Sequence, residues 1–569
     1  MTVPFNADEV KAAVKSMKNN KSCGIDKVKA ELIKYGNHKI IEEIARLLNI
    51  VAKTGKYPKE IKKGLLVPLP KPGKKKGPPE NCRPVILLST LRKILAIIMI
   101  RRTADRMMKI IPVTQAAYLP GRGTTEHVLA FKLLIEKAIN SSDYELLLRL
   151  FDMSKAFDTI DRAKLMEDLS KILEKDELHM FYILLKDVEI QVKVNQKNGE
   201  SFLTNVGSPQ GDSASAFLFI FYLAISLTNS DSEENPSDNM KDNEIMKDNE
   251  SRGNENDMKD NESMKDNESR VNENESIGNK HENRGNEQEN RGNYEMITPA
   301  PFIDHEYACK STLPEYEHDQ QYADDISWAT TSNMSAKNKE TKIPEKLEKR
   351  QLYANTDKTE KYTVRKNGED HWKSSKYLGT LLDTEKDIKR RKGLAYNAFN
   401  NIKRFLTKPQ SKLENKIRRL ETFVSSIFLY NSETWTLTKK LEKSIDVLQR
   451  VFLRKCVGIT REDRVRNEEL YKKCKTKPWS ATIQERRLRL LGHIMRLPEE
   501  TPVRKALKEY NRPVQRDPGR PTMTWWTLIK SDLKNLEITE DTNLENLMSI
   551  TEDRESWKNT VKTKIKEEN

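Results

Sequence analysis

The chain has 569 residues, of which 33% are charged, and carries a formal net charge of +15 with a pI near 9.2. This length exceeds one compact domain, so two or three are expected, and the positive charge favours a polyanionic partner. Five scattered cysteines without a CxxC pair indicate a reducing compartment. The most apolar run, 217–227, is too short to cross a bilayer. We therefore expect a protein of the nucleus and cytoplasm that is neither secreted nor membrane-bound.

The first third of the chain is predicted to be mainly scaffold. Asn6 and Glu9 have the spacing of a capping box, and Asp26 is placed to cap a second helix that runs to Gly36. Residues 65–76 and 81–89 predict two strands joined by a Pro/Gly-broken basic loop. Such a loop can close over phosphates, while a solvated loop or a localisation signal is the alternative.

Several elements before residue 228 carry polar residues at their ends. Gly121 and Gly123 around Arg122 would let the backbone approach a nucleic-acid strand closely. Residues 146–152 predict a buried strand that ends at Asp152, and Asp161 is expected to cap a helix that starts at Arg162. The turn at 207–211 precedes an apolar helix predicted over 214–227.

Residues 229–296 form a low-complexity insert. They hold 20 Asp/Glu against 9 Lys/Arg, so their net charge is −11 and the rest of the chain carries +26. Met-Lys-Asp-Asn-Glu occurs four times, and the segment contains no Leu, Phe or Trp. Without Leu, Phe or Trp to bury, it cannot offset its ordering entropy, and we predict a disordered loop.

The stretch 321–331 places two carboxylates, Asp324 and Asp325, between β-prone residues. This pattern predicts a tight hairpin with the aspartates at its tip. Two adjacent acids repel each other, so a fold tolerates them best around a cation, although an ordinary acidic turn is the bland alternative. The second acidic strand end, at Asp152, favours the cation.

Beyond the hairpin, 352–360 and 376–382 predict strand edges, and helices follow. An apolar stripe at helical spacing indicates a buried helix face formed by Ile445, Leu448, Phe452, Leu453 and Cys456. In the tail from 477, basic residues alternate with Trp479, Trp525 and Trp526. These residues suit contacts with a nucleic-acid backbone and stacking on the bases of single strands. The alternative is a solvated pack of amphipathic helices.

Carboxylates at two points of the chain, with basic loops nearby, are what two-metal phosphoryl transfer requires. Two Mg²⁺ ions roughly 3.5–4 Å apart activate a hydroxyl nucleophile and stabilise the leaving oxygen. Mg²⁺ prefers hard oxygen ligands and needs few from the protein, so Asp152, Asp324 and Asp325 suffice. Mn²⁺ is the alternative ion.

Taken in order, these motifs resemble the reverse transcriptases of non-LTR retrotransposons. The central blocks are Phe-Asp-Met-Ser-Lys-Ala-Phe-Asp at 151–158, Gly-Ser-Pro-Gln-Gly at 207–211 and Tyr-Ala-Asp-Asp at 322–325. The flanking blocks at 83–89, 115–125, 355–359 and 377–379 match the same family in order. The resemblance covers about 5–460 without the insert.

The resemblance implies a role for several residues. Asp152 and Asp324 would be the metal-binding pair, with Asp325 assisting and the backbone carbonyl of Met153 as a further ligand. The residues that would contact the nucleotide are Arg83 at its triphosphate, Phe157 as the gate against a ribose 2′-hydroxyl, Gln210 packed on the nucleotide, and Lys358 as the proton donor to pyrophosphate. The 71–76 loop would belong to the fingers, and Asp158 is expected to make a structural hydrogen bond.

The implied fold is an α+β right-hand polymerase. Its expected parts are an N-terminal scaffold with the fingers (1–145), a palm in two pieces (146–228 and 297–384) around the disordered insert, a helical thumb (385–460) and a basic, mostly helical C-terminal extension (461–569). The implied reaction adds dNTPs to the 3′-hydroxyl of a DNA primer on an RNA template.

Some residues depart from the family pattern. Ala216 stands where Pro is common, and Arg149 interrupts an apolar strand beside the expected metal site. The chain also shows no recognisable endonuclease, zinc knuckle or RNase H pattern, which suggests a polymerase fragment or a decayed copy. The competing hypothesis is therefore a catalytically inactive, nucleic-acid-binding remnant of such an element.

Overall fold

The computed structural model describes residues 3–71, 75, 77–194, 197–228, 315–460, 462–513, 522–538 and 543–567. The insert at 229–296, predicted to be disordered, lies outside the described residues, as does most of the basic loop after Lys71.

Short helices form the N-terminal segment: α1 (Ala7–Ser16), α2 (Ala30–Lys34), α3 (His38–Thr54) and α4 (Lys59–Lys62). The predicted capping box is confirmed, because Asn6 accepts the Glu9 N–H and the Glu9 carboxylate accepts the Asn6 N–H. The predicted cap at Asp26 is wrong. Its carboxylate accepts the N–H of Val28 within a turn, and α2 begins only at Ala30.

The first sheet has the strand order β2-β1-β4-β5. Its strands are β1 (Gly64–Pro70), β2 (Cys82–Leu87), β4 (Val188–Val194) and β5 (Lys197–Thr204). β1 and β2 are antiparallel, which confirms the strand–loop–strand prediction, whereas β1 and β4 are parallel.

The second sheet carries the candidate site and has the order β6-β7-β3-β8. Its strands are β3 (Leu146–Phe151), β6 (Glu317–Tyr322), β7 (Asp325–Thr330) and β8 (Glu360–Val364). Every pair of neighbours is antiparallel. The predicted strand at 146–152 and the predicted hairpin are thus both confirmed.

Helices cover both faces of this second sheet. The helices that follow α4 in the first two-thirds of the chain are α5 (Thr90–Met108), α6 (Thr124–Ile139), α7 (Arg162–Ser170), α8 (Lys175–Leu185), α9 (Ser215–Thr228) and α10 (Asn333–Glu348). Side chains alternate along a strand, so Leu148 and Leu150 of β3 share a core with α6, while Phe151 shares one with α9. The Asp161 side chain caps α7 as predicted.

Arg149, the one charged residue in the otherwise apolar strand β3, lies on the same face of the strand as Phe151. Its guanidinium pairs with Glu340 of α10 and donates to the carbonyl of Tyr362 at 3.0 Å. These partners allow the cation to be mostly buried in an otherwise apolar strand.

A helical body follows a two-stranded ribbon of β9 (Lys376–Tyr377) and β10 (Thr380–Leu381). Its helices are α11 (Thr384–Leu406), α12 (Leu413–Leu420), α13 (Ser426–Phe428), α14 (Lys439–Val457) and α15 (Asn467–Cys474). All five residues of the predicted apolar stripe on α14 are buried. The stripe packs around Phe399 and Phe428, which confirms its assignment to a core.

The C-terminal helices are α16 (Trp479–Met495), α17 (Pro502–Asn511), α18 (Trp525–Asn535), α19 (Leu544–Thr551) and α20 (Arg554–Glu567). They share a core with α6, β3 and β8. The proposed stacking of Trp479, Trp525 and Trp526 on nucleic acid is wrong, since all three are buried. Trp479 stacks on Phe428 at 4.5 Å, and the Trp525 indole donates to the carbonyl of Glu433 at 2.9 Å.

The described residues therefore form an α+β fold with antiparallel strand pairs around the candidate site. None of the helices in this part of the chain combines the length and apolar character needed to span a membrane.

Candidate active site

The tip of the β6–β7 hairpin consists of Ala323 and Asp324, flanked by the pair Tyr322 and Asp325. Ala323 has φ +55, a left-handed conformation that a non-glycine residue needs support to keep. The support is the fully buried side chain of Gln115, whose Oε1 accepts the Ala323 N–H at 3.0 Å and the Ala117 N–H at 2.9 Å. One side chain thus ties the hairpin tip to the segment before α6.

The main chain reinforces the same link. The N–H of Gln321 donates to the carbonyl of Thr114 at 2.9 Å, and the N–H of Ala116 donates to the carbonyl of Gln321 at 3.0 Å. The segment around Gln115 therefore pairs with β6 and restrains the hairpin from its outer side.

Asp152 reaches the same edge of the sheet from β3. Phe151, the last residue of β3, is paired with Ile326, so Asp152 directly after it lies across from Asp325 at the start of β7. The carbonyl of Asp152 accepts the Asn355 N–H at 2.7 Å, and Met153 forms a bridge with Ala354. Antiparallel pairing thus brings together carboxylates that are more than 170 positions apart in the chain.

The acidic side chains at this edge are crowded together, and their pKa values reflect it. Burial, with the charges of Asp324 and Asp152, raises the pKa of Asp325 to about 7. Burial also raises the pKa of Asp324, and the charge of Asp152 adds to the effect. Both carboxylates would be stabilised in their charged form by a cation at this edge.

Lys358 supplies one such cation. Its ammonium lies 2.5 Å from the Asp152 carboxylate, with side-chain exposures of 65% for the lysine and 31% for the aspartate. Across the described ranges, no group of three or more His, Cys, Asp or Glu side chains stands in a ready metal-binding arrangement. The donor chemistry nevertheless fits a hard divalent ion, because this edge offers carboxylate oxygens, and a cation would relieve the crowding that raises the pKa values of Asp324 and Asp325.

Phe157 and Gln210 lie on adjoining loops. The Phe157 ring is half-buried and stacks on Phe219 of α9 at 4.5 Å, and its carbonyl accepts the Ser208 N–H at 2.7 Å. The Gln210 amide donates to the Asp158 carboxylate at 3.2 Å, so Asp158 makes a hydrogen bond of the structural kind expected of it. These contacts hold the loop after Asp152 against the turn at 207–211.

Two glycines explain why that turn is so close to its neighbours. Gly207 has φ +74, and a Cβ there would lie 2.7 Å from the carbonyl oxygen of Asp158. Gly211 has φ +123, and a Cβ there would lie 2.4 Å from the carbonyl oxygen of Ile86 in β2. Only glycine combines these conformations with these approaches.

Arg83 belongs to a different sheet from the aspartates. It is exposed on β2, opposite Leu69 of β1. The turn connects the two regions, because the Ile86 N–H donates to the carbonyl of Gln210 at 2.8 Å. The structure therefore brings the three aspartates and Lys358 together at one edge and leaves Arg83 on a strand of the other sheet.

Sequence reasoning missed Gln115, the residue that holds the hairpin tip. Its only signal was its place at the start of a family-like block, 115–125, ahead of the glycines. A polar residue followed by Ala116 and Ala117 gives no indication that it will be fully buried, so its role emerged only from its partners.

Part of the chain matches a known protein family. Residues 69–236 match the family of reverse transcriptases, RNA-dependent DNA polymerases. This range includes Arg83, Asp152, Phe157 and Gln210 and stops before the hairpin of Asp324.

Several proteins similar to this chain come from transposable elements. Over 223 residues the chain is 27% identical to the probable RNA-directed DNA polymerase from transposon BS of Drosophila melanogaster, covering 39% of this chain and 24% of that protein. It is 30% identical over 169 residues to the transposon TX1 uncharacterized 149 kDa protein of Xenopus laevis, covering 30% of this chain and 13% of that protein. The match thus spans less than a quarter of either relative.

Residues 69–236 thus match a reverse transcriptase domain, and the chain is similar to RNA-directed DNA polymerases of transposable elements, which confirms the resemblance to non-LTR retrotransposon enzymes inferred from the motifs. Among solved structures, telomerase from Candida tropicalis in complex with a telomeric RNA fragment aligns with 91% of this chain and 68% of its own, at 12% identity and a TM-score of 0.34. That overall likeness is too slight to bear on the fold.

Proposed function

We propose that this protein is an RNA-directed DNA polymerase that adds dNTPs to the 3′-hydroxyl of a DNA primer on an RNA template. The observation that carries the proposal is the convergence of Asp152, Asp324 and Asp325 at one edge of the β6-β7-β3-β8 sheet. The site would serve the copying of an element's RNA, in the nucleus and cytoplasm.

The metal proposal rests on the same edge. Reverse transcriptases generally use divalent metal ions, and two Mg²⁺, or Mn²⁺ in their place, would activate the primer hydroxyl and stabilise the pyrophosphate oxygens. Asp152, Asp324 and Asp325 would hold them, together with the carbonyl of Met153. In the structure Lys358 already neutralises Asp152, and its exposed ammonium can turn from that carboxylate to the leaving pyrophosphate and donate a proton.

Other residues would select and orient the nucleotide. Phe157, held by its stack on Phe219, would oppose a ribose 2′-hydroxyl and so favour dNTPs. Gln210, fixed by Asp158, would pack on the nucleotide, and exposed Arg83 would neutralise the triphosphate. With the boundaries predicted from the sequence, β1 and β2 would belong to the fingers, β4, β5 and the second sheet to the palm, and α11–α14 to the thumb.

One observation favours the second candidate, an inactive nucleic-acid-binding remnant. In the described residues the carboxylates are not arranged as a ready metal site, and the Asp152 carboxylate forms an ion pair with Lys358. An active enzyme must rearrange this edge on binding metal and nucleotide, whereas a remnant need not.

Primer extension separates the two candidates. Wild-type protein should extend a DNA primer on an RNA template with Mg²⁺, and Asp324→Ala should lower the rate by a factor of at least about 10² because a charge-stabilising ligand is lost. Asp319→Ala is the matched control, since Asp319 is an exposed aspartate on β6 that pairs with Lys339. Equal activity in both variants, or no synthesis by folded wild type, would reject the polymerase proposal.

A further inference from the structure

A cleft of about 400 Å³ lies between the loop at the start of α6 and the C-terminal helix α16. The loop contributes Gly121, Arg122 and Gly123, and the helix contributes Arg486, Arg489 and His493. The predicted nucleic-acid loop and the basic tail, separated by more than 350 positions in the chain, therefore face one another across a single cleft.

Three arginines and one histidine line this cleft, against two glutamates. Glu126 is matched by Arg122, whose Nε lies 2.8 Å from its carboxylate, and by His493 at 3.2 Å. Arg486 and Arg489 are both exposed to solvent. Glu433 is the second acid in the lining, and burial raises its pKa, which lessens its repulsion of an anion.

The two arginines of α16 keep much of their donor capacity. Arg489 pairs with Glu485 on its own helix at 2.7 Å, and Arg486 donates one bond, from Nη1 to the carbonyl of Leu429 at 2.8 Å. A guanidinium has five N–H donors, and its fork suits the oxygens of a phosphate. Each arginine can therefore bind a phosphodiester and still keep its partner in the protein.

The loop side of the cleft leaves room for the backbone of a nucleic acid. No atom lies within 4 Å of where a Cβ would stand on Gly121 or Gly123. A sugar–phosphate chain can therefore approach this main chain as closely as van der Waals contact allows.

The segment 115–123 connects this cleft to the catalytic hairpin. Tyr118, three residues before Gly121, is only about half exposed (53%) and has φ +61. Burial raises its pKa, and the charge of Asp324 raises it further, so the Tyr118 hydroxyl is within electrostatic range of the proposed site. Gln115, three residues earlier, holds the hairpin tip itself.

We propose that this cleft binds the sugar–phosphate backbone of the nucleic-acid strand that passes the catalytic hairpin, through Arg122, Arg486 and Arg489. The identity of this strand rests on the proposed polymerase function. The chemistry of the ligand, a run of phosphodiesters, is inferred from the residues that line the cleft. It gives the C-terminal helices a binding role that does not depend on their buried tryptophans.

Binding of labelled single strands of DNA and of RNA, each about 20 nucleotides long, tests the proposal with the full-length protein. The variant is Arg489→Gln, alone and with Arg486→Gln. The control is Arg46→Gln, because Arg46 is also an exposed arginine that pairs with a glutamate on its own helix, Glu43 of α3. Side-chain exposures are 43% for Arg489 and 67% for Arg46.

The expected result is a Kd raised roughly 3- to 10-fold by Arg489→Gln, irrespective of base sequence, with a salt slope shallower by about 0.7 for each phosphate that the protein no longer neutralises. The double variant should show the larger increase in Kd, and the control should match wild type. A larger effect on DNA would assign the cleft to the primer or product, and a larger effect on RNA would assign it to the template.

Equal affinities and salt slopes for Arg489→Gln, the double variant and Arg46→Gln would overturn the proposal. The polymerase hypothesis fails separately, by absent or Asp324-independent synthesis. Because Asp324→Ala is expected to leave strand binding in the cleft intact, each hypothesis can fail without the other.

Discussion

At the scale of single residues, the geometry of the hairpin depends on one buried amide. Gln115 accepts two backbone N–H groups, those of Ala117 and Ala323, and the second belongs to a residue in a left-handed conformation. Buried N–H groups that lose their acceptor are costly, and here the cost falls on the turn that carries Asp324.

We therefore predict that Gln115→Ala lowers the free energy of unfolding by roughly 2–4 kcal/mol, because two buried N–H groups lose their acceptor and a small cavity is left. Primer extension by the fraction that remains folded should also fall, since the hairpin tip loses its anchor. Unfolding in urea and steady-state extension, at matched folded protein, measure the two effects.

Gln449→Ala is the control for this prediction. Gln449 is also buried, and its side chain accepts the Trp479 N–H at 2.7 Å and donates to the carbonyl of Lys477 at 2.9 Å, away from the hairpin. It should lose comparable stability and keep its activity per folded molecule. If the two variants lose activity equally, Gln115 has no special relation to the site.

At the scale of elements, α6 and β6 enclose two histidines beside the hairpin. His127 and His318 are both buried, and burial lowers the pKa of each to about 3. Arg122 adds to the effect at His127, and Lys505 and Lys339 add to it at His318. Both histidines are therefore neutral in the folded protein at neutral pH.

This burial predicts a defined pH dependence of stability. Because the folded pKa of about 3 lies below the unfolded value near 6.5, the unfolded state binds the extra proton between them. Stability should therefore fall as the pH drops below about 6.5, by up to about 1.4 kcal/mol per pH unit for each histidine.

His127→Leu removes one of these groups and should roughly halve the histidine contribution to that slope. Urea unfolding near neutral pH and near pH 5 measures it, with the wild type unfolded in parallel. An unchanged slope would show that His127 is protonated in the folded state or exposed to solvent.

At the scale of the whole molecule, the C-terminal helices are part of the central core. Ile494 of α16 and Val503 of α17 share a buried cluster with Leu148 of β3 and with α6. A chain without residues 479–569 would expose that side of α6, so we expect it to be insoluble or to unfold at a much lower temperature.

A pair of substitutions gives this expectation a magnitude. Ile494→Ala, at a fully buried position, should destabilise the protein by roughly 2–5 kcal/mol. Ile550→Ala, at an exposed position on α19, should change stability by no more than about 0.5 kcal/mol. A stable, soluble fragment 1–478, or equal effects of the two substitutions, would mean that the C-terminal helices fold independently.

Local patterns in the sequence predicted most elements around the site. The hairpin at 321–331, the strand that ends at Asp152, the cap at Asp161 and the apolar helix after residue 214 are all present. Each depends on residues within about ten positions of one another, where propensity, capping and alternation act directly. The cap expected at Asp26 failed because a short-range turn competed for the same carboxylate.

Taken alone, the sequence determined the chemistry: which carboxylates, which basic loops and which family blocks are present, and in what order. Only the tertiary structure decided where those groups meet. Trp525 is buried in a core with α6, where its main-chain N–H donates to Glu136, 389 positions away, and Gln115 anchors the hairpin tip through Ala323, 208 positions away. Burial and hydrogen-bond partners at such separations are properties of the packed core, and no local pattern of residues encodes them.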